Sequence, residues 1–260
     1  MLEDGHMHLE YGDLSVDYVL QFVEQAKLMK LDRIQILDHT HRFKEFKCCY
    51  ENLRVIEVQD KWLSNEKMKF KDTLDDYVLL INKIKSMNLD IEVLFGLEVC
   101  YVPEYEELIK SILKNYNFDF LVGAIHSIDG MLYDMPFSKE ILWDKFNADY
   151  IYTRYYDLIY SLMKSNIFTQ LAHPDTIKLF QIYPDFDLLP IYEKVSYLGN
   201  KYKIKIENNT GCHYRYNHPD VGLNPDFLKV LRMNDNEIIT ASDAHYPYHV
   251  GKYIEEANKL

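Results

Sequence analysis

Short apolar runs alternate with longer stretches of helical periodicity along this chain of 260 residues. Runs typical of strands occupy 34–38, 91–97, 118–125, 167–172 and 237–242, and shorter or alternating ones lie at 4–8 and 203–207. The spacing of apolar positions predicts helices over 15–30, 72–88, 103–115, 138–165, 187–201 and 224–234, with a last helix starting near Val250. Ser15, Ser138 and Asn224 are the expected N-caps. This order indicates about seven parallel strands joined by helical crossovers.

Nearly every apolar run ends at a side chain that can bind a metal ion. These side chains are His6 and His8 in the first run, then His39, Glu98, His126, His173 and Asp243, with His245 two residues further on. In folds of parallel strands and crossover helices, ligands bind at the carboxyl ends of the strands. We therefore expect these distant residues to meet at one place and to hold Zn, Mn or Fe.

Two of the pairs have the spacing that suits a shared metal ion. His6 and His8 point to the same side of an extended chain, because strand side chains repeat with a period of two. Asp243 and His245 repeat that geometry at another strand end. A single pair of this kind is more often a chance surface pair, so the prediction depends on the whole set lying at strand ends.

Glu98, His126 and His173 each have a structural alternative. A carboxylate that ends an apolar run needs a partner, and for Glu98 that partner is either a metal ion or a Lys or Arg side chain. A lone histidine in such a position is more often a hydrogen-bonded core residue than a ligand. The strand-end position that His126 and His173 share with Glu98 favours the metal interpretation.

Composition narrows the class of protein. The formal charge of -12 argues against nucleic acid as a partner, since a phosphate-backbone binder needs a basic face. The four cysteines form no C-x-x-C pair, which fits a reducing cytoplasm. No signal peptide and no run of about 20 apolar residues is present, so no membrane association is expected. A single domain over residues 1–260 is the simplest organisation, with no feature that indicates an oligomeric state.

The segment 40–71 differs from the rest of the chain. It is polar, rich in aromatic residues and much longer than a usual connection between a strand and a helix. We expect it to be partly helical and to cover the site as a lid.

The motifs at the strand ends resemble those of the PHP (polymerase and histidinol phosphatase) superfamily. They are Asp4-Gly5-His6-Met7-His8, Asp38-His39, Gly96-Leu97-Glu98, Gly123-Ala124-Ile125-His126, Ala172-His173-Pro174-Asp175 and Ser242-Asp243-Ala244-His245. The resemblance extends from residue 4 to about residue 250. It implies a distorted (β/α)7 TIM-like barrel with two or three divalent transition metals at the carboxyl ends of the strands. It also implies a stand-alone phosphoesterase of the histidinol-phosphatase type.

The resemblance also implies how the ligands divide between the metals. A first ion would be held by His6, His8, Glu98 and Asp243, and a second by Glu98, His126 and His173, with Glu98 as the bridge. A third would use His39 and His245 with one ligand from the loop after the first strand. That ligand is often a histidine in relatives, whereas this loop has only Glu10 and Asp13 to complete the site.

Basic residues near the strand ends are candidates for binding the phosphate of a substrate. Arg42 follows the second strand, and Arg215 follows the polar strand end 208–211. Both are expected beside the metal ligands as catalytic residues, whereas Lys178 is more simply a solvated surface charge. His41 and Asp175 are the candidates for the acid that protonates the leaving group.

The expected function is hydrolysis of a small phosphorylated metabolite. The resemblance favours L-histidinol phosphate, which would yield L-histidinol and phosphate in histidine biosynthesis. In this mechanism Glu98 and Asp243 hold metal ions that activate water and bind phosphoryl oxygens. One alternative is a phosphodiesterase or nuclease of the same fold, which the acidic composition disfavours. Another is a non-catalytic metal-binding module, which the nearly complete ligand set disfavours.

Overall fold

A sheet of seven parallel strands forms the centre of the computed structural model, which describes residues 1–260. The chain has nine strands: β1 (Glu3–His8), β2 (Arg33–Leu37), β3 (Glu92–Cys100), β4 (Phe120–Ala124), β5 (Ser127–Ile128), β6 (Met131–Leu132), β7 (Gln170–Leu171), β8 (Lys205–Asn209) and β9 (Ile238–Ala241). The central sheet has the order β1-β2-β3-β4-β7-β8-β9, and β5 and β6 form a separate hairpin. Because all the pairings in this sheet are parallel, every carboxyl end lies at the same edge.

The two edges of this sheet meet just beyond β9. The amide of His8 donates to the carbonyl oxygen of Ala244 at 2.7 Å, and the amide of Ala244 donates to the carbonyl oxygen of His6 at 3.3 Å. Gly5 permits this close approach, because a Cβ atom there would lie 2.6 Å from the side chain of Ile239. The sheet therefore closes, and the predicted (β/α)7 TIM-like barrel is confirmed.

Helices surround the barrel. They are α1 (Val16–Leu28), α2 (Glu57–Leu63), α3 (Leu74–Lys85), α4 (Glu106–Leu113), α5 (Ala148–Lys164), α6 (Leu189–Tyr202), α7 (Gly211–Tyr216), α8 (Pro225–Met233) and α9 (Ile254–Lys259). Two of the expected N-caps are confirmed: Ser15 accepts from the amide of Tyr18, and Asn224 accepts from the amide of Asp226. None of these helices has the length and apolar character that a membrane crossing requires.

Two predicted helix boundaries are wrong. The predicted helix 138–165 is interrupted, and Asn147 rather than Ser138 caps α5, because the Ser138 side chain accepts from the amide of Met135 instead. The last helix begins at Ile254 and not near Val250. Gly251 has a φ of +77°, which breaks the helical path between the turn Pro247–His249 and α9.

The segment 40–71 is partly helical, as expected. It contains a 3₁₀ helix, Lys44–Val55, and then α2. The buried side chain of Gln59 joins this segment to the β5–β6 hairpin: its amide nitrogen donates to Gly130 O at 2.9 Å, and its amide oxygen accepts from Leu132 N at 2.7 Å. These hydrogen bonds hold the segment and the hairpin together.

Candidate metal centre

The eight residues expected to bind metal lie together at the carboxyl edge of the barrel. Their positions are His6 and His8 in β1, His39 after β2, Glu98 in β3, His126 after β4, His173 after β7, and Asp243 and His245 after β9. A cavity of about 290 Å³ opens over them. The topology of the sheet thus brings together side chains that are up to 239 residues apart in the sequence, which is the separation of His6 and His245.

The first group of ligand atoms comes from β1, β3 and the end of β9. Nε2 of His8 lies 2.8 Å from Nε2 of His6 and 3.3 Å from Oδ1 of Asp243. Oε2 of Glu98 is 3.8 Å from the His6 nitrogen and 3.6 Å from the His8 nitrogen. Ligand atoms around one tetrahedral zinc ion are separated by roughly 3.3 Å. The atoms of His6, His8 and Asp243 lie close enough together for a single ion, and Glu98 lies beside them.

The second group shares Glu98 with the first. Oε1 of Glu98 lies 3.2 Å from Nε2 of His126 and 3.0 Å from Nε2 of His173. The two oxygens of one carboxylate therefore face two different groups of imidazoles. Burial opposes ionisation of Glu98, but the surrounding imidazoles outweigh burial and hold its pKa well below the ordinary value. Glu98 has the position of a bridging ligand.

The expected third group joins His39 and His245 to a carboxylate of the loop after β1, and these two histidines also lie near His8. Oε2 of Glu10 lies 3.9 Å from Nε2 of His39 and 3.6 Å from Nε2 of His245. Glu10 is almost fully buried, whereas Asp13 is exposed and does not line the cavity. Of the two carboxylates in this loop, Glu10 is the one that geometry assigns to the third group. Burial and then Arg215 lower the pKa of His245 to about 4, which keeps its imidazole neutral.

Three buried polar atoms in these groups have no hydrogen-bond partner, namely Oε2 of Glu98, Nδ1 of His8 and Nδ1 of His173. Nδ1 of His39 is only 2.6 Å from that Glu98 oxygen, yet the atoms are not aligned as a hydrogen bond. A buried carboxylate oxygen without a donor is unfavourable, and a cation satisfies it. The combination of imidazole and carboxylate donors fits Zn, Mn or Fe.

Backbone strain is found at two of these residues. His173 has a φ of +25° and Asp243 a φ of +57°, in the left-handed region that residues other than glycine seldom adopt. Such strain persists only where the surrounding structure holds the residue in place, and it is common at functional sites. Both residues lie directly after a barrel strand, where the backbone turns away from the sheet.

Glu207 is a site residue that the sequence analysis missed. Its Oε1 accepts from Nδ1 of His6 at 2.7 Å and from the side-chain amide of Gln170 at 2.8 Å. Its Oε2 accepts from the backbone N–H of His173 and from the side chain of Asn209, both at 3.0 Å. Glu207 therefore holds in place His6 of the first group and His173 of the second. A signal existed, because Glu207 ends a run of alternating polarity, as several of the predicted ligands end theirs.

Asp134 and Asp4 were missed as well. Oδ2 of Asp134 lies 2.9 Å from Nδ1 of His126, which leaves Nε2 of that ring directed at Glu98. Asp4 accepts from the amide and hydroxyl of Ser242 and from the amide of Gly251, and so holds the backbone beside Asp243. Burial raises the pKa of Asp4 to about 6 although these hydrogen bonds oppose the change.

Arg42 does not reach the cavity, so its prediction as a phosphate-binding residue is wrong. Its guanidinium is fully buried and donates to Asp72 at 2.6 Å, to Asp38 at 2.8 Å, and to the carbonyl oxygens of Leu9 and Gly12 at 2.7 and 2.9 Å. These four acceptors satisfy the group and leave it no access to a ligand. Arg42 instead ties the loop after β1 to the segment that follows β2.

Two further expectations about charged residues are wrong. Lys178 is not a solvated surface charge, because it is 4% exposed and pairs with Asp175 at 2.7 Å and Asp220 at 3.1 Å. Asp175 also accepts from the amide of Asn224 and does not line the cavity, which removes it as a leaving-group acid. His41 does line the cavity.

Arg215 lies in the cavity wall beside the third and first groups. Its guanidinium donates to Oδ2 of Asp243 at 2.5 Å and to Nδ1 of His245 at 2.8 Å. Its Nε–H is buried and has no partner. The Arg215 side chain is 24% exposed, so its guanidinium faces the cavity while it contacts two of the expected metal ligands.

The segment 40–71 supplies one wall of the cavity, through His41, Tyr50, Trp62 and Lys69. The ammonium of Lys69 lies 4.1 Å above the centre of the Trp62 ring and 3.2 Å from Oε1 of Glu10. Lys69 and Arg215 are the two cationic side chains that line the cavity. Lys69 was missed because nothing near it in the sequence marks a site.

The chain is similar to several known proteins. A probable histidinol-phosphatase of Schizosaccharomyces pombe is 34% identical over 116 residues, which are 42% of this chain and 37% of the relative. A protein of the same name from Clostridium acetobutylicum is 26% identical over 204 residues, 75% of each chain. The alignment with the first of these spans little more than a third of its length.

Two solved structures share the fold at 15% sequence identity. One is histidinol phosphate phosphatase from Lactococcus lactis in complex with Zn, L-histidinol and phosphate, with a TM-score of 0.67 over 98% of this chain and 93% of that one. The other is a putative histidinol phosphatase from Listeria monocytogenes, with a TM-score of 0.73 over 98% and 99% of the two chains. Residues 4–213 match the model of the PHP domain. The chain therefore belongs to the PHP domain family.

Proposed function

We propose that this protein is a metal-dependent phosphomonoesterase and that L-histidinol phosphate is its substrate. The observation that carries the proposal is the convergence of eight His, Glu and Asp side chains at the floor of one small cavity. The names of the relatives and the ligands of the Lactococcus lactis protein support the choice of substrate. The reaction would yield L-histidinol and phosphate, the chemistry of a step in histidine biosynthesis.

The ligand geometry supports at least two metal positions. His6, His8, Glu98 and Asp243 would hold one ion, and Glu98, His126 and His173 a second. Zn, Mn and Fe all suit these donors. When bound, such ions supply a water of lowered pKa and positive charge for the phosphoryl oxygens. Glu10, His39 and His245 would hold a third ion.

The protein's own residues would orient these groups and the substrate. Glu207 and Asp134 fix the rings of His6 and His126 so that each Nε2 faces Glu98. The partly exposed guanidinium of Arg215 is suited to bind a phosphate oxygen at the cavity wall. His41 lines the cavity, but burial and the adjacent Lys69 ammonium hold the pKa of its imidazole well below the ordinary value, which disfavours it as the proton donor to the leaving oxygen.

The size of the cavity favours a small monoester over the alternative, a phosphodiesterase or nuclease. A volume of about 290 Å³ suits a metabolite, and the walls formed by Trp62, Tyr50 and Met135 enclose it. The net charge of -12 also disfavours a polyanionic substrate.

The four cysteines are unpaired, so a reducing compartment such as the cytoplasm suits this protein.

The test is a screen of protein reconstituted separately with Zn, Mn and Fe. Substrates would be L-histidinol phosphate, a panel of other phosphomonoesters, and phosphodiesters including short oligonucleotides. We expect the highest kcat/KM with L-histidinol phosphate and no measurable cleavage of diesters. The Glu98→Gln variant is the matched control for contaminating phosphatase activity. Faster turnover of a diester than of any monoester would reject the proposal.

A further inference from the structure

The ammonium of Lys69 is enclosed at the edge of the third ligand group. It is 5% exposed, and it lies 3.2 Å from Oε1 of Glu10 and 3.0 Å from Nε2 of His41. The face of the Trp62 ring covers it at 4.1 Å from the ring centre. The carboxylate, the imidazole and the aromatic face are all favourable partners for a cation. The proposed hydrolysis makes no use of this group.

Glu10 faces two kinds of cation. Its Oε1 accepts from Lys69, while its Oε2 points toward Nε2 of His39 and Nε2 of His245, at 3.9 and 3.6 Å. It is the only carboxylate of the third group, and Lys69 neutralises its charge. A positive charge held beside a cation site opposes the binding of a divalent ion there.

The first two groups are different in this respect. The first contains the carboxylates of Glu98 and Asp243, with Glu207 hydrogen-bonded behind it, against the single cation Arg215. The second contains Glu98 with Asp134 behind His126, and no Lys or Arg side chain contacts Glu98, His126 or His173. Two cations contact the third group, Lys69 at Glu10 and Arg215 at His245. Glu98 and Asp243 also lie near His39 and His245, but the other two groups share those carboxylates. The third group therefore has the least favourable electrostatic environment of the three.

We propose that Lys69 makes the third metal position a weak, exchangeable one, while the other two ions stay bound. The inference rests on the metal centre of the proposed function and concerns its stoichiometry. Lys69 acts on Glu10, and through Glu10 on the affinity of the position that His39 and His245 complete. It is a residue that sets metal affinity and not itself a ligand.

The test is a competition titration of apo-protein with Zn²⁺ or Mn²⁺ and a chromophoric chelator. We compare the wild type with Lys69→Met, which keeps an unbranched apolar side chain against Trp62 but removes the charge, and with Lys69→Arg, which keeps the charge. We expect two tight equivalents and a third at least ten-fold weaker in the wild type. In Lys69→Met the affinity for the third metal equivalent should rise at least ten-fold, and in Lys69→Arg that affinity should stay low. Adding Glu10→Gln to Lys69→Met should abolish the gain.

Three tight equivalents in the wild type, or an unchanged or weaker third equivalent in Lys69→Met, would overturn the inference. Thermal unfolding verifies that each variant is folded, and Lys69→Gln replaces Lys69→Met if the latter is not. Binding of the first two metal equivalents distinguishes a failure of this inference from a failure of the proposed function. A wild type that binds no metal rejects the proposed function, whereas two tight ions with no effect of Lys69 reject only this inference.

Discussion

Glu207 accepts a hydrogen bond from Nδ1 of His6 at a distance of 2.7 Å, in a position where neither side chain is exposed. A carboxylate without a proton can only accept, so Nδ1 of His6 carries the hydrogen and Nε2 presents its lone pair to the metal centre. The same carboxylate accepts from the amide of His173, so one residue outside the ligand set orients ligands of two groups. Such contacts typically change metal affinity by 10- to 100-fold.

Replacement of Glu207 by glutamine therefore has a specific expected effect. All four partners of the carboxylate are donors, and an amide would direct its own N–H groups at two of them. We expect Glu207→Gln to weaken metal binding by about 10- to 100-fold, measured by chelator competition. Glu237→Gln is the matched control, because Glu237 is exposed and pairs with Lys205 at the opposite end of the barrel. Equal metal affinity in the two variants would contradict the assigned role.

Glu98 tests the distinction between a bridging ligand and a structural ion-pair partner. We expect Glu98→Gln to abolish turnover and to lower metal content, because both oxygens of the carboxylate face ligand groups. The barrel should remain folded, since the partners of Glu98 are imidazoles of the site. Metal content, thermal midpoint and kcat are measured together. A variant that loses stability but keeps its metal and its specific activity would show that Glu98 is structural.

Arg215 is expected to act on the substrate phosphate. A charge-assisted hydrogen bond contributes roughly 1.5–3 kcal/mol, so Arg215→Ala should lower kcat/KM by about ten- to a hundred-fold. Arg215→Lys should also lower kcat/KM, because an ammonium lacks the fork of donors that a guanidinium presents. This loss should be smaller, because the positive charge is kept. The first two metal equivalents should remain, since Oδ1 of Asp243 still faces His8. An unchanged kcat/KM in Arg215→Ala would mean that this side chain does not contact the substrate.

Arg42 provides the opposite case, a buried arginine with a structural role. Arg42→Met leaves the fully buried Asp38 without its guanidinium partner, and removal of one member of a buried pair costs about 3–5 kcal/mol. We expect a loss of that size in the free energy of unfolding, measured with urea. The inhibition constant of inorganic phosphate should be unchanged in the folded protein. A weaker phosphate inhibition with unchanged stability would restore Arg42 as a phosphate-binding residue.

The residues that sequence reasoning found and those it missed differ in how their roles are encoded. His126 and Asp243 were found because each ends an apolar run, and the alternation of strands and helices brings all strand ends to one edge. Arg42 was misjudged because its partner Asp72 is 30 residues away, and local sequence does not reveal that pairing. Lys69 was missed for the same reason, since only tertiary packing places it against Glu10.

Short elements were the least predictable part of the fold. β7 has only two residues, Gln170–Leu171, within a longer apolar run, and the β5–β6 hairpin has two residues in each strand. Such elements are stabilised by neighbours, as Gln59 stabilises the hairpin, and not by their own pattern. The long helices α1, α3 and α6 were found because each keeps an apolar face over several turns.

Metal content measured together with activity tests the central claim most directly. Purified protein would be titrated with a chelator while bound metal is determined by elemental analysis and hydrolysis of L-histidinol phosphate is followed in the same samples. The structure predicts at least two equivalents of transition metal per chain, and turnover that falls as these ions are removed and returns when they are restored. Protein that contains no tightly bound metal, with hydrolysis that is insensitive to the chelator, would contradict it.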